Sequence, residues 1–198
     1  MTKVIAITGG IGSGKTTLCK HLKKKGYLVH ESDKLVSKMY KKPSKPFLRF
    51  LKKNISKDVV RNYKVNKKKV TNIIFNSDTV RKKLEKYIHK EARLSRESFI
   101  KKNQKNNKGV IFVDIPLLFE NNLDKNFDII LCVISNKKIR TERVLKNKKF
   151  SKQILKKIFN SQTSDKNRRS RAQIIINNNK TKKDFISLAE KALMEHTI

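Results

Sequence analysis

Ile7-Thr8-Gly9-Gly10-Ile11-Gly12-Ser13-Gly14-Lys15-Thr16-Thr17-Leu18 is the stretch that decides how this chain folds. A backbone that must close tightly around an anion needs positions that tolerate positive φ and carry no Cβ, and Gly9, Gly10, Gly12 and Gly14 supply them. Counted from Gly9, the run reads G-x-x-x-x-G-K-T, a loop whose successive N–H groups converge on nucleotide phosphates. The expected nucleotide-binding residues are Gly10, Ile11, Gly12, Ser13, Gly14, Lys15, Thr16 and Thr17. Lys15 is expected to reach the β and γ oxygens, Thr16 to place its hydroxyl on Mg²⁺, and the following helix to aim its positive end at the same charge.

Glycine patterns of this kind also occur in ordinary turns, so the flanks decide. Val4-Ile5-Ala6-Ile7 reads as a buried parallel strand, and Leu18 and Leu22 mark one face of a helix that should stop at Gly26. Strand, loop and helix together predict a site for a nucleoside triphosphate with magnesium.

The chain has 198 residues, enough for one α/β core with an insertion and too few for two full-sized domains. Nothing in it approaches a membrane helix or a charged-then-apolar signal segment, so a soluble, cytoplasmic protein is expected. Cys19 and Cys132 suggest neither a metal cluster nor a disulfide framework, and both are expected to act as small core hydrophobes. The formal net charge of +34 invites a nucleic-acid reading. Against it, the excess is mostly lysine spread along the whole chain among many asparagines and isoleucines, the pattern of a compositional drift that fills solvated faces. No specific nucleic-acid partner and no membrane is expected, only salt-sensitive nonspecific sticking.

Four more apolar runs follow the first: residues 27–30, 110–113, 129–134 and 174–176. Most are short, continuous and rich in β-branched residues, as in strands covered on both faces, which gives a five-stranded parallel sheet flanked by helices. Roughly eighty residues separate the second run from the third, far more than one crossover helix needs. A helical insertion is therefore expected at 33–108, with Val80, Leu84 and Ile88 at helical spacing, and Pro43-Ser44-Lys45-Pro46 is the clear loop signal within it. Between the fourth and fifth strands, 137–171 reads as a lid of two helices around Phe150-Ser151, with Ser151 as an N-cap. The core is then 1–32, 109–136 and 172–198, the insertion gripping the acceptor and the lid closing over the nucleotide.

A GTP switch would show N-K-x-D and a D-x-x-G loop after the third strand, but Asp114 is followed by Ile115, Pro116 and Leu117. A motor needs a larger body, which leaves a small-molecule kinase. Asp33, three residues past the second strand, stands at the carboxyl edge of the sheet. It can take the proton of an attacking hydroxyl, or it can simply cap a helix, and position alone does not separate the two. Asp114 can act on magnesium through water or cap the Pro116 turn.

These residues resemble the dephospho-coenzyme A kinase family over most of the chain. Residues 7–17 look like its phosphate loop, and "HESDKL" is similar to its Asp-Ala-Asp segment with Asp33 at the catalytic position. "LEKYIHKEA" resembles its Leu-Glu-x-x-x-His-Pro segment through His89, and "VDIPLLFE", Val113 to Glu120, is the most specific piece. The resemblance implies transfer of the ATP γ-phosphate to the ribose 3′-hydroxyl of dephospho-coenzyme A, with Asp33, Lys15 and Arg143 as catalytic residues. It implies an acceptor site of Asp33, His89, Arg93, Asp114 and Leu117, and Mg²⁺ on Thr16 with Asp114 acting through water. A monomer or weak oligomer is expected. Glu31, Lys90, Asn147 beside Lys146, and Gln173 depart from the family pattern, whereas Gln162 and Asn178 fit it.

Overall fold

The computed structural model describes residues 1–147 and 150–197. Along the chain run β1 (Lys3–Thr8), α1 (Lys15–Lys24), β2 (Leu28–Glu31), α2 (Ser32–Lys41), α3 (Lys45–Asn54), β3 (Val60–Arg61), β4 (Lys64–Val65), α4 (Lys67–Asn76) and α5 (Asp78–Lys105). There follow β5 (Val110–Asp114), β6 (Ile129–Ile134), α6 (Lys137–Lys146), α7 (Lys152–Ser161), α8 (Asp165–Arg171), β7 (Ile174–Asn177) and α9 (Lys182–Thr197). The chain divides into two compact units, Met1–His30 with Ile100–Ile198, and Glu31–Phe99.

In the first unit five strands form one sheet in the order β2-β5-β1-β6-β7. β1 lies parallel to β5 and β6, and β6 parallel to β7, with Ile7 opposite both Asp114 and Leu131. Ile5, Ile7, Phe112, Leu131, Val133 and Ile176 are sealed inside against Leu18 and Leu22 of α1 and Phe185, Ala189 and Leu193 of α9. Each such side chain contributes about 1.5–3 kcal/mol through burial. β2 differs from the expected fully covered strand: it begins at Leu28, lies at the sheet edge and leaves Leu28 38% exposed. Helix α1 stops as its sequence requires, with Gly26 at φ 88° and the Tyr27 N–H bonded back to the Leu22 carbonyl.

The stretch 137–171 holds three helices rather than the expected two. Ser151 caps α7 by accepting from the Ile154 N–H, and Ser164 does the same for α8 through the Asn167 N–H. The second cap starts a helix, Asp-Lys-Asn-Arg-Arg-Ser-Arg, that has no apolar periodicity to announce it.

The second unit has its own core of Phe47, Leu51, Val59, Val70 and Leu84. Tyr87 stacks on Phe47 and Phe50 with ring centroids 5.6 and 4.2 Å apart, and Tyr40 meets Phe47 edge-on. Ser44, in the expected loop, caps α3 by accepting from the Phe47 N–H. The antiparallel β3–β4 hairpin turns through Asn62 and Tyr63, both at positive φ.

Candidate nucleotide site

The phosphate loop follows β1 directly and ends in α1, whose N-cap Gly14 sits at φ 110° and offers no side-chain cap. No acidic residue occupies the first turn, so the helix start keeps its positive end for a ligand. Gly12 is at φ 75°, and a Cβ there would come within 2.8 Å of the Arg140 carbonyl and 2.9 Å of the Val144 side chain. At Gly14 a Cβ would overlap the Asn178 amide nitrogen. Glycine is thus required at both places because α6 and the turn after β7 press onto the loop.

Those neighbours also hold the loop. Asn178 donates to the Ser13 carbonyl at 2.7 Å, and the Ile11 N–H donates to Gln162 Oε1 at 3.0 Å. Lys15 Nζ bends back to donate to the carbonyls of Gly9 and Gly10. Arg143 donates to Ser135 Oγ and to Asn178 Oδ1 at 3.2 Å, so it stands at a cavity of about 170 Å³ shared with Thr17, Lys182 and Phe185.

Asp114, 7% exposed, ends β5 beside Ile7, one residue before β1 ends at Thr8 and the loop begins. Thr16, on the first turn of α1, is exposed. A hydroxyl and one carboxylate are hard oxygen donors of the kind Mg²⁺ accepts, and the ion ordinarily fills its remaining positions with phosphate oxygens and water. Among the described residues no group of three or more His, Cys, Asp and Glu could hold a metal by itself, so the donor set suits an ion that arrives with the nucleotide.

The stretch 137–171 carries a partly buried charge network. Asp165 accepts from Arg140 Nη2 at 3.2 Å and from Arg168 Nη1 at 2.8 Å, while Glu120 accepts from Arg168 Nη2 and from the Thr163 N–H. Glu120 closes the "VDIPLLFE" segment, so that segment ties the end of β5 to the lid, whereas Leu117 within it is 40% exposed. Burial pulls the Arg140 guanidinium below its ordinary value, with Asp165 opposing; an arginine remains protonated regardless. Gln173 accepts from the Ile130 N–H at 2.8 Å and so pins β7 to β6. Asn147 donates to the Arg143 carbonyl and finishes α6. Cys132, buried in β6, has its thiol pushed up to about 12 by desolvation.

The other expected acceptor residues lie in the second unit. Asp33 is the second residue of α2; its side chain lies outside the described residues. Glu31, its side chain 7% exposed, pairs with Lys34 at 2.8 Å. His89 and Arg93 are both exposed and one turn apart on α5, with Arg93 Nε 3.9 Å from Glu97. Arg96, unremarked in the sequence, is 8% exposed, and burial lowers its pKa. Its signal was present: it continues the Leu84, Ile88, Ala92 stripe at four-residue spacing, where an apolar residue belongs.

A family model described as dephospho-CoA kinase matches residues 3–184. Among curated relatives, the dephospho-CoA kinase of Fusobacterium nucleatum is 33% identical over 199 residues, covering 95% of each chain. That of Bartonella quintana is 32% identical over 195 residues, covering 96% of this chain and 98% of its own. Among solved structures, the dephospho-CoA kinase from Campylobacter jejuni superposes with a TM-score of 0.75 at 24% identity, over all of this chain and 98% of the other, a likeness of fold. With the loop, sheet and lid assembled as described, the match across nearly its whole length means that the chain belongs to the dephospho-CoA kinase family.

Proposed function

We propose that the protein transfers the γ-phosphoryl group of ATP to the ribose 3′-hydroxyl of dephospho-CoA, giving CoA and ADP. The observation that carries this reading is the assembled phosphate loop, Lys15 folded into it and Asp114 beside it, within a chain that matches the family along its length. The loop N–H groups and the start of α1 hold the triphosphate, and Lys15 leaves its carbonyl partners for the β and γ oxygens. Thr16 and, through water, Asp114 would hold Mg²⁺, which when bound would supply positive charge to offset that of the phosphates. Asp33 orients the ribose hydroxyl and accepts its proton as the oxygen attacks; the γ-phosphorus bond to that oxygen forms as its bond to the ADP oxygen breaks. His89, Arg93 and Leu117 contact the acceptor. A lid arginine offsets the charge on the equatorial oxygens.

The test is an acceptor panel with Mg-ATP: dephospho-CoA, AMP, CMP, UMP, shikimate and gluconate. ADP release is expected to be stimulated strongly by dephospho-CoA alone, and a nucleotide as preferred acceptor would remove the assignment. We expect oligonucleotides to bind weakly, the binding collapsing between about 50 and 200 mM salt as counterions compete. Hydrolysis stimulated by a defined oligonucleotide would favour a nucleic-acid role instead. No helix among the described residues is long and apolar enough to cross a membrane.

A further inference from the structure

We infer that Arg140, rather than Arg143, is the arginine that meets the transferring phosphoryl group, and that Arg143 serves the nucleoside end of the same nucleotide. This rests on the phosphoryl-transfer reading and divides the labour within it. The two side chains leave α6 one turn apart and reach opposite ends of the phosphate loop.

Arg143 is anchored on Ser135 and Asn178 and lines the cavity with Thr17, Lys182 and Phe185. Thr17 and Gly14 border that cavity at the α1 side of the loop, and Phe185 gives it an aromatic wall. These are surroundings for a ribose and base. Arg140 goes the other way. Its Nη1 lies so close to Gly10 that a Cβ there would overlap it, with Arg168 Nη1 3.4 Å from the same point. The Gly10 carbonyl also receives Lys15 Nζ at 3.4 Å. Arg140 and Lys15 therefore converge on one residue, and Lys15 is the group that works on the β and γ oxygens.

Arg140 is also built in. It is 7% exposed, its guanidinium carbon lies 5.2 Å from the centre of the Phe159 ring, and Asp165 holds Nη2. Its Nε has no hydrogen-bond partner among the described residues. A cavity of about 310 Å³ opens beside it, lined by Lys137, Arg168, Gln162 and Thr163 as well, and Gln162 is the residue that grips the Ile11 N–H. A cation fixed before the reaction does not have to reorganise when charge develops, which makes such groups worth about 10²–10³ in rate. The competing account is that Arg140 only braces the lid against the loop.

Full-length Arg140→Met and Arg143→Met proteins separate these accounts. Loss of Arg140 leaves Asp165 bonded to Arg168, so no carboxylate is orphaned; Arg140→Lys is the second variant should the first not fold. Titration calorimetry with Mg-ADP, alone and with beryllium fluoride at the γ position, reads the two ends without an acceptor. For Arg140→Met, ADP affinity should stay within about threefold, while the gain from fluoride falls by about tenfold or more, and kcat with dephospho-CoA falls by about 10²–10³. For Arg143→Met, affinity should drop by about tenfold with and without fluoride, leaving the gain intact. A lowered melting temperature with the fluoride gain retained in Arg140→Met, or the two patterns exchanged, would overturn the inference. Absence of turnover with dephospho-CoA in the wild-type protein, with these binding patterns present, would instead sink the acceptor assignment.

Discussion

The unit built from Met1–His30 and Ile100–Ile198 and the unit of Glu31–Phe99 solve different problems. In the first, the phosphate loop and the arginine beside it are constrained by several elements at once: Gly12 by α6, Gly14 by Asn178, Ile11 by Gln162, and Arg140 by Asp165 and Phe159. In the second, an aromatic cluster around Phe47 and Tyr87 holds the helices together, while His89 and Arg93 stand exposed on α5. Phosphates are alike in every reaction of this kind and reward a rigid cradle. In the proposed reaction the acceptor is left to exposed side chains on a unit with a separate core.

If the division holds, chemistry and stability should come apart when each unit is altered. The largest effect is expected at Asp33. Asp33→Asn should lower kcat by about 10²–10⁴ with Mg-ATP affinity and the denaturant midpoint nearly unchanged, because α2 is capped at Glu31 and Asp33, its second residue, is not the N-cap; losing a first-turn charge costs under about 1 kcal/mol. Turnover within a few-fold of wild type in a folded, ATP-binding variant would remove the base assignment, and the structure already gives the N-cap position of α2 to Glu31 rather than Asp33. Next, Phe47→Ala should destabilise the second unit by about 3–5 kcal/mol. Chemical denaturation followed by Tyr87 environment should shift, yet nucleotide binding by the first unit should persist; joint loss of both would break the comparison.

A smaller effect is expected within the first unit at Asp124, whose carboxylate accepts from Arg171 Nη2 at 2.7 Å and Nε at 3.1 Å. The Arg171 bond is the main cause holding its pKa below the ordinary value, against the opposing effect of burial. Because the folded pKa lies below the unfolded one, the pair stabilises at neutral pH, and this contribution is lost as pH falls below the ordinary carboxylate range toward the lower folded pKa. Asp124→Asn should cost about 1.5–3 kcal/mol at pH 7, the gap from wild type narrowing below about pH 4 in denaturant titrations. Least of all, Arg93→Ala should change stability by under about 0.5 kcal/mol, since its pair with Glu97 is exposed. It should still raise the acceptor KM several-fold without changing ATP affinity.

Much of the first unit was legible in the sequence, because strands buried on both faces read as continuous apolar runs and because the loop needs glycines at fixed spacing. The strand order was not: nothing local in Val110–Asp114 says that it lies between β1 and β2. The edge position of β2 escaped for the same reason. α8 was missed because Asp165–Arg171 carries no hydrophobic stripe and only Ser164 marks its start. The β3–β4 hairpin was missed because its turn uses Asn62-Tyr63, with a tyrosine at φ 58° where glycine is usual. At the site, the loop residues and Asp114 could be named from spacing. The bond of Glu120 to Arg168 and the direction of Arg140 depend on contacts between residues distant in the chain, and spacing carries no record of those.

Cys132 makes the nucleotide sheet its own reporter. Only a thiolate reacts with an alkylating reagent, and a thiol held at about 12 inside β6 offers almost none at neutral pH. Modification there must wait for the sheet to open, so its rate is a clock on the opening of the first unit. Nucleotide that binds the closed form should slow that clock in proportion to its occupancy, giving a label-based measure of ATP affinity that needs no turnover and no acceptor.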